Sequence, residues 1–499
     1  VKSAAALALR LQKTGITLFQ DGENIRYRTR STAPIKVIMG EVYERRHALI
    51  RYLYARDAVD FPPVERHDGS PLPSITQELW WRWINPATSL TLSLIEMIKH
   101  HSTTQVTDAI RAVVASHDTL RSRFSEQNGI LAVNFNAATD FEVETKTLSS
   151  SVGPESLKAH IDEFVARPLR AGASWLIRAT VFAIPDKGHV AVIVANHMVV
   201  DGTSIDIIRA DLRRHFARLG QPQSIRQNLS YVDFAAWQRK YLARSGGALS
   251  EYWRDWSKNQ TELQSPVGKL PMRWRSGKKV RRTFAIPTFA HSALVKFARE
   301  NSTFPFMVYT TLLAFAVFRW SGQRSFPLRS ICDLRSLPGL VATVGLMTGA
   351  DAFSVDLVPE QGFLGNLKEI EEEYHAASRL RLPNIYALPP FAVGPALESE
   401  GGQRYNVGIV INYRKLGSRL SKPSHEQEVW PPFEGVPRRD VWSHDVSPVC
   451  LELTDLGEQA TAAFLLHEDI LSVAEQDGLI QALFAVFQET ILQSNEIAK

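Results

Sequence analysis

The run His189-Val190-Ala191-Val192-Ile193-Val194-Ala195 constrains this chain more than any other stretch. After its first residue nothing polar interrupts it, so it reads as a strand buried on both faces. Residues 176–184 read as a neighbouring strand and residues 204–218 as a helix. A strand covered on both sides and followed by a helix places the chain among α/β folds.

Between that strand and that helix lies Asn196-His197-Met198-Val199-Val200-Asp201-Gly202. Chemistry in α/β proteins gathers where a loop lifts side chains from a strand end. His197 can accept a proton near neutral pH. Asp201 can fix the loop by pairing with an arginine. Gly202 allows close backbone approach, and its N–H suits a developing oxyanion. Against this, the pattern is short, and a lone histidine after a strand is more often structural than catalytic.

At 499 residues the chain exceeds one ordinary core. Its basic character is local. Residues 1–56 carry eleven basic and four acidic side chains, and residues 57–499 carry 46 and 48. A large, near-neutral remainder argues against nucleic acid as a partner. In the basic unit, residues 2–13 predict a helix that Gly15 stops. Alternating runs either side of Asp21-Gly22 predict a β-hairpin, and Pro34 opens a longer helix reaching Leu53. Residues 57–73, with Pro62, Pro63, Pro71 and Pro73, read as a linker.

Further on, helices are expected at 105–124, 231–242, 249–256, 291–301, 305–320 and 472–493. Strands are expected near 328–332, 351–357, 406–413 and 449–465. Residues 265–282, seven of them Lys or Arg, read as a second connector between two α/β halves. The two cysteines, Cys332 and Cys450, make no CxxC, and a reducing, cytoplasmic setting is expected. The longest apolar run, 310–320, is too short to cross a bilayer, so no membrane association is expected. Val1-Lys2 begins no signal-peptide pattern. P-loop, GxSxG and metal-ligand spacings are missing.

The segment Asn196–Gly202 resembles the HHxxxDG signature of nonribosomal peptide synthetase condensation domains, in the chloramphenicol-acetyltransferase-like superfamily. Asn196 replaces the first histidine and His197 is the second. Other stretches resemble the family's motifs in the right order: Ser74-Ile75-Thr76-Gln77-Glu78-Leu79-Trp80, Ser116-His117-Asp118-Thr119-Leu120-Arg121, Tyr231-Val232-Asp233-Phe234-Ala235-Ala236-Trp237-Gln238, Tyr252-Trp253 and, loosely, Thr343–Thr348. The likeness spans about 74–495. The late motifs depart most: nothing between Tyr374 and Leu388 reads as HQDxPFE, and only Asn412-Tyr413-Arg414 hints at the last one.

The resemblance implies two chloramphenicol-acetyltransferase-like lobes, 74–264 and 265–499, forming a V-shaped pseudodimer with a substrate tunnel between them. It implies that an upstream carrier protein presents an acyl thioester, and that the amine of a downstream carrier-bound aminoacyl thioester attacks it. Both substrates ride on phosphopantetheine of the carriers, and the chain itself binds no cofactor and no metal. His197 and Gly202 are the implied catalytic residues. Asn196, Asp201 and Arg335 are structural, with Arg335 as the expected partner of Asp201, and Asn412 is a substrate-tunnel candidate. Trp80, Trp81 and Trp83 read as core or tunnel wall.

The first 56 residues resemble a TubC-type docking domain, an αββα unit. Arg26, Arg28 and Arg30 share one face of its second strand. An acidic C-terminal tail of an upstream synthetase subunit is the expected partner, added as a strand. Charge that merely guards a sheet edge is the plainer account. Two other functions stay open: an ester- or amide-forming acyltransferase that uses a free acceptor, and a degenerate recruiting platform.

Overall fold

The computed structural model describes residues 3–21, 24–29, 35–58, 64–83, 90–217, 229–258, 260, 264–266, 268–269, 277–380, 409–415, 436, 438–443 and 447–497. The chain divides into two compact units. One holds residues 61–244 and 333–349; the other holds 1–60, 245–332 and 350–499. The boundary at 244/245 falls inside a helix, and 333–349 belongs with the earlier residues. The basic stretch expected as a connector holds two short strands and the start of a long one, Gly277–Ile286.

The 61–244 unit is built on a four-stranded sheet in the order Thr91–Ile98, Gly188–Asn196, Ile177–Ile184, Val143–Thr147. The two central strands form a hairpin, Ile177 opposite Ala195 and Ile184 opposite Gly188. Gly188 has φ +99°, and a Cβ there would lie 2.6 Å from the Ile98 carbonyl oxygen, so the turn needs glycine. Successive side chains of a strand leave by opposite faces. Ala191, Ile193 and Ala195 accordingly join a core with Ile110, Val113, Ile205 and Ile208. Val190, Val192 and Val194 join a second one with Phe164, Leu169 and Phe182. Two cores on one strand explain why the run contains nothing polar.

Other elements also differ from expectation. The helix expected at 105–124 is Thr103–Ser116, begun by a Ser102/Gln105 capping box. A 3₁₀ turn and the strand Ser122–Gln127 follow it. That strand pairs with Ile130–Phe135 around Asn128-Gly129, both with positive φ, the signature of a tight hairpin turn. The helices expected at 231–242 and 249–256 are one, Tyr231–Lys258. The strand expected at 449–465 is an antiparallel pair, Val449–Asp455 and Ala460–His467, turning near Gly457 at φ +95°.

The second unit carries a seven-stranded mixed sheet in the order Thr348–Asp356, Ser325–Asp333, Ile409–Lys415, Val449–Asp455, Ala460–His467, Gly277–Ile286, Arg438–Ser443. Helix Pro305–Ser321 is almost wholly buried. Among the described residues no single helix is long and apolar enough to cross a membrane.

The first residues belong to this unit. Helix Ala4–Lys13 precedes an antiparallel pair, Ile16–Asp21 and Asn24–Thr29. The helix expected from Pro34 runs as two, Ile35–Glu44 and Arg46–Ala58. Ser3 caps the first helix on the Ala6 N–H, and its own N–H donates to Glu373 Oε1 at 2.6 Å. Glu373 sits on helix Gly362–Ser378, is buried, and has its carboxyl pushed up to about 7 by that burial.

Candidate active site

Support for the His197 loop begins at helix Ile75–Trp83. Ser74 Oγ accepts the Gln77 N–H at 3.0 Å, and Gln77 Oε1 accepts the Ser74 N–H at 3.0 Å. This reciprocal box satisfies donors that a helix start leaves open. The same Gln77 side chain donates from Nε2 to the Met198 carbonyl at 3.0 Å. The Ser74 hydroxyl lies 2.8 Å from that of Tyr231, which donates to the Leu346 carbonyl at 2.9 Å. Stretches far apart in sequence thus meet behind one loop.

Asn196 ends the central strand and shapes the turn. Its Nδ2 donates to the Leu169 carbonyl at 2.8 Å, and its Oδ1 accepts the Met198 N–H at 2.9 Å. The side chain is fully engaged and does not titrate, as a structural role requires. The His197 N–H donates to the Leu90 carbonyl at 2.8 Å. Met198, Val199 and Val200 are completely buried and anchor the loop in the core.

His197 itself is half-buried. Its ring lies 4.7 Å, centroid to centroid, from that of Trp80. Nδ1 is buried without a hydrogen bond of ordinary geometry. Burial lowers the basicity of the ring, opposed by the charge of Asp201 and by the His197 and Val200 backbone. The ring is therefore neutral at pH 7 and free to accept a proton.

Asp201 lies behind the loop with 2% of its surface exposed. Oδ1 accepts from the Ser204 N–H at 2.8 Å, the Ser204 hydroxyl at 2.8 Å and Arg335 Nη2 at 3.0 Å. Oδ2 accepts from Arg335 Nη1 at 2.8 Å and the Met347 N–H at 2.9 Å. Burial raises the carboxyl, but the Arg335 charge and these donors outweigh it and hold it below its usual value. Arg335 is equally enclosed and donates from Nε to the Thr343 carbonyl at 2.8 Å. A paired, immobile carboxylate of this kind holds a loop and moves no proton.

Gly202 is the first residue of helix Gly202–Ala217, where backbone N–H groups and the helix dipole favour negative charge. Asn412 lies in the other unit, half-buried in strand Ile409–Lys415 beside Glu452 of the neighbouring strand. Arg26 and Arg28 are exposed on strand Asn24–Thr29, opposite Phe19 and Thr17, and Arg28 lies over the Phe19 ring. Arg30 falls outside the described residues. Among the described residues no cluster of His, Cys, Asp or Glu could hold a metal ion.

Ser204, Gly345 and the Met347 N–H were missed by sequence reasoning. Ser204 carried a readable signal, because Asp201-x-x-Ser204 just before a helix is a capping pattern. Gly345 carried none: a Cβ there would lie 1.9 Å from Tyr231 Cδ2, which only the folded packing reveals.

The family described as "Condensation domain" matches residues 90–384, more than half of the chain. The chain belongs to the condensation domain family. Its relatives are synthetases of nonribosomal peptides. Phosphinothricin tripeptide synthetase PhsC of Streptomyces viridochromogenes is 28% identical over 56% of this chain and 27% of its own length. Cyclosporin synthetase simA of Tolypocladium inflatum is 26% identical over 54% of this chain and 2% of its own. The chain therefore spans about a quarter or less of these relatives.

One solved structure is described as the basis for condensation domain-mediated chain release from the enacyloxin polyketide synthase. It is 29% identical with a TM-score of 0.87, covering 98% of this chain and 95% of that one. The cyclization-docking bidomain of EpoB from Sorangium cellulosum is 17% identical with a TM-score of 0.64, over 97% of both chains, a likeness of fold. The fold is chloramphenicol-acetyltransferase-like, and the chain is a condensation domain of the nonribosomal peptide synthetase type. Such domains have an acyltransferase-type activity, forming amide or ester bonds, and act on substrates held by phosphopantetheine on carrier proteins.

Proposed function

We propose that the chain forms an amide bond between an upstream carrier-bound acyl or peptidyl thioester and the amine of a downstream carrier-bound aminoacyl thioester. The observation that carries this reading is the His197 loop: a neutral imidazole, partly open, on a turn held by Asn196, Gln77 and the Asp201–Arg335 pair. A free α-amine has a pKa of about 8, so a useful fraction is already nucleophilic at pH 7. His197 then has two tasks: to position the amine and to take the proton of the zwitterionic intermediate, which collapses with cleavage of its C–S bond and release of the upstream carrier's phosphopantetheine thiol. General base catalysis of this kind is worth about 10²–10⁴. Gly202, at its helix start, favours the oxyanion.

We further propose that residues 1–56 dock the C-terminal tail of an upstream subunit, with Arg26 and Arg28 meeting acidic side chains. The EpoB bidomain, described as carrying a docking part and matched over nearly the whole of this chain, supports this reading. A second reading has its own support. The enacyloxin structure is described in terms of chain release, which favours transfer of the acyl chain to a free acceptor.

One assay separates these. Donor-loaded upstream carrier, bearing its native tail, is mixed with wild type or His197→Ala and either an acceptor-loaded carrier or a free amine or alcohol. Product on the acceptor carrier, strongly reduced in the variant, is the expected result. Product only with the free acceptor establishes release instead. Equal product from both proteins removes His197 from the mechanism. For docking, binding of an acidic tail peptide should weaken steeply with salt, and salt-independent binding would sink that part.

A further inference from the structure

A catalytic imidazole needs a fixed orientation, and in most sites a carboxylate or carbonyl on Nδ1 supplies it. Here no side chain among the described residues hydrogen-bonds the His197 ring, and Nδ1 is buried without a partner of ordinary geometry. The Asp201 carboxylate, whose charge acts on the ring, is engaged by Arg335, Ser204 and the Met347 N–H. The backbone of His197 and Val200 is the ring's polar contact, and an aromatic side chain adds a second constraint.

Among the described residues Trp80 supplies it. The Trp80 and His197 ring centroids are 4.7 Å apart with the planes inclined at 36°, within the range of favourable offset aromatic contact. Trp80 is braced in turn against the core of the 61–244 unit. Gln77, which ties the same helix to the Met198 carbonyl at 3.0 Å, lies three residues earlier. Residues three apart share a helix face. Helix Ile75–Trp83 thus grips the loop twice, by a hydrogen bond to its backbone and by an indole against its imidazole.

We propose that Trp80 is a positioning residue that sets the orientation of the His197 imidazole through this tilted ring contact. The inference rests on the reading of His197 as the residue at the reacting atoms. An aromatic contact takes up no ring nitrogen, so Nε2 stays available to the substrate amine. The Asp201–Arg335 pair fixes the loop, and Trp80 fixes the ring on that loop.

The test uses the whole chain with Trp80→Phe and Trp80→Leu beside wild type and His197→Ala. Circular dichroism and thermal melting establish that each is folded. The first readout is the imidazole resonance of ¹³C-labelled histidine at position 197, assigned by its loss in His197→Ala. Leaving the indole removes its ring current, so that resonance should move in Trp80→Leu and stay nearer wild type in Trp80→Phe. The second readout is condensation kinetics. Trp80→Leu should lose roughly 10- to 100-fold in kcat with KM little changed, and Trp80→Phe should recover most of it.

An unmoved His197 resonance in Trp80→Leu overturns the inference, whatever the activity. So does a moved resonance with wild-type kcat, or a kcat loss that Trp80→Phe fails to relieve. If even wild type forms no product with verified substrates, the functional reading fails, while the resonance still decides whether Trp80 holds the ring.

Discussion

Removing Arg335 is the sharpest perturbation of the site's frame. Asp201 is 2% exposed and Arg335 6%, and two hydrogen bonds of 2.8 and 3.0 Å join them. Arg335→Met keeps most of the side-chain volume and leaves a buried carboxylate with only Ser204 and the Met347 N–H. Breaking a buried pair from one side costs about 3–5 kcal/mol, since the orphaned charge stays desolvated. Local opening should therefore become roughly two to four powers of ten more frequent, at about 1.36 kcal/mol per tenfold. Hydrogen exchange by mass spectrometry on peptides covering 197–217 and 333–347 reads this directly.

The pH dependence carries a second check. In the wild type the Asp201 carboxyl lies below its usual value, so its contribution is complete above about pH 4 and fades only in stronger acid. In Arg335→Met burial is opposed only by the Ser204 and Met347 donors, so the carboxyl rises from its wild-type value and takes up a proton more readily as pH falls. The exchange ratio of variant to wild type should then shrink from pH 8 to pH 5. The double variant with Asp201→Asn should recover part of the loss, a coupling of about 0.5–3 kcal/mol. A ratio below threefold at both pH values would refute the reasoning.

Glu373 gives the opposite pH sign. Its folded-state value of about 7 lies above the ordinary carboxyl value, so the native protein holds that proton more tightly than the unfolded chain. The benefit is complete below about pH 4.5 and is lost as pH rises through 7, a change of about 3 kcal/mol. Glu373→Gln should melt at higher temperature than wild type at pH 8 and lose this slope; parallel melting curves across pH 5–8 would discard the account. Gly345→Ala drives a Cβ into the Tyr231 ring and should cost about 1–3 kcal/mol or more. Paired with Tyr231→Leu it should cost less than the sum of the two in chemical denaturation, and strict additivity would count against the clash. Gly188→Ala, strained at φ +99° and blocked by the Ile98 carbonyl, should destabilise more than Gly129→Ala, at φ +76° with open space around its Cβ. Equal melting temperatures for the two would contradict this.

What the sequence revealed follows from the range of each interaction. The two-faced strand was legible because two cores leave no place for a polar residue between Val190 and Ala195. The helix end at Ser116 was not, because Leu120 and Phe124 continue an apolar spacing that belongs to a 3₁₀ turn and a strand. The Asn128-Gly129 pair was the local sign of that hairpin. At the site, His197 and Asp201 stood out as a motif, whereas Asp201 and Arg335 are 134 residues apart and only family resemblance suggested pairing them. The contact of Trp80 with His197 left no trace, because nothing in a tryptophan cluster says which indole meets the imidazole.

The long sequence separations inside each unit also set an order in time. At ~5–20 residues per second a ribosome needs about 7 to 27 seconds to travel from Asp201 to Arg335, 134 residues on. Until then the carboxylate behind His197 has no counter-charge. Ser3 waits longer, because its acceptor Glu373 lies 370 residues downstream, about 20 to 70 seconds of synthesis. The helix that begins at Ala4 is thus made well before the acceptor of its capping residue Ser3, and it can be seated only after Glu373 has emerged.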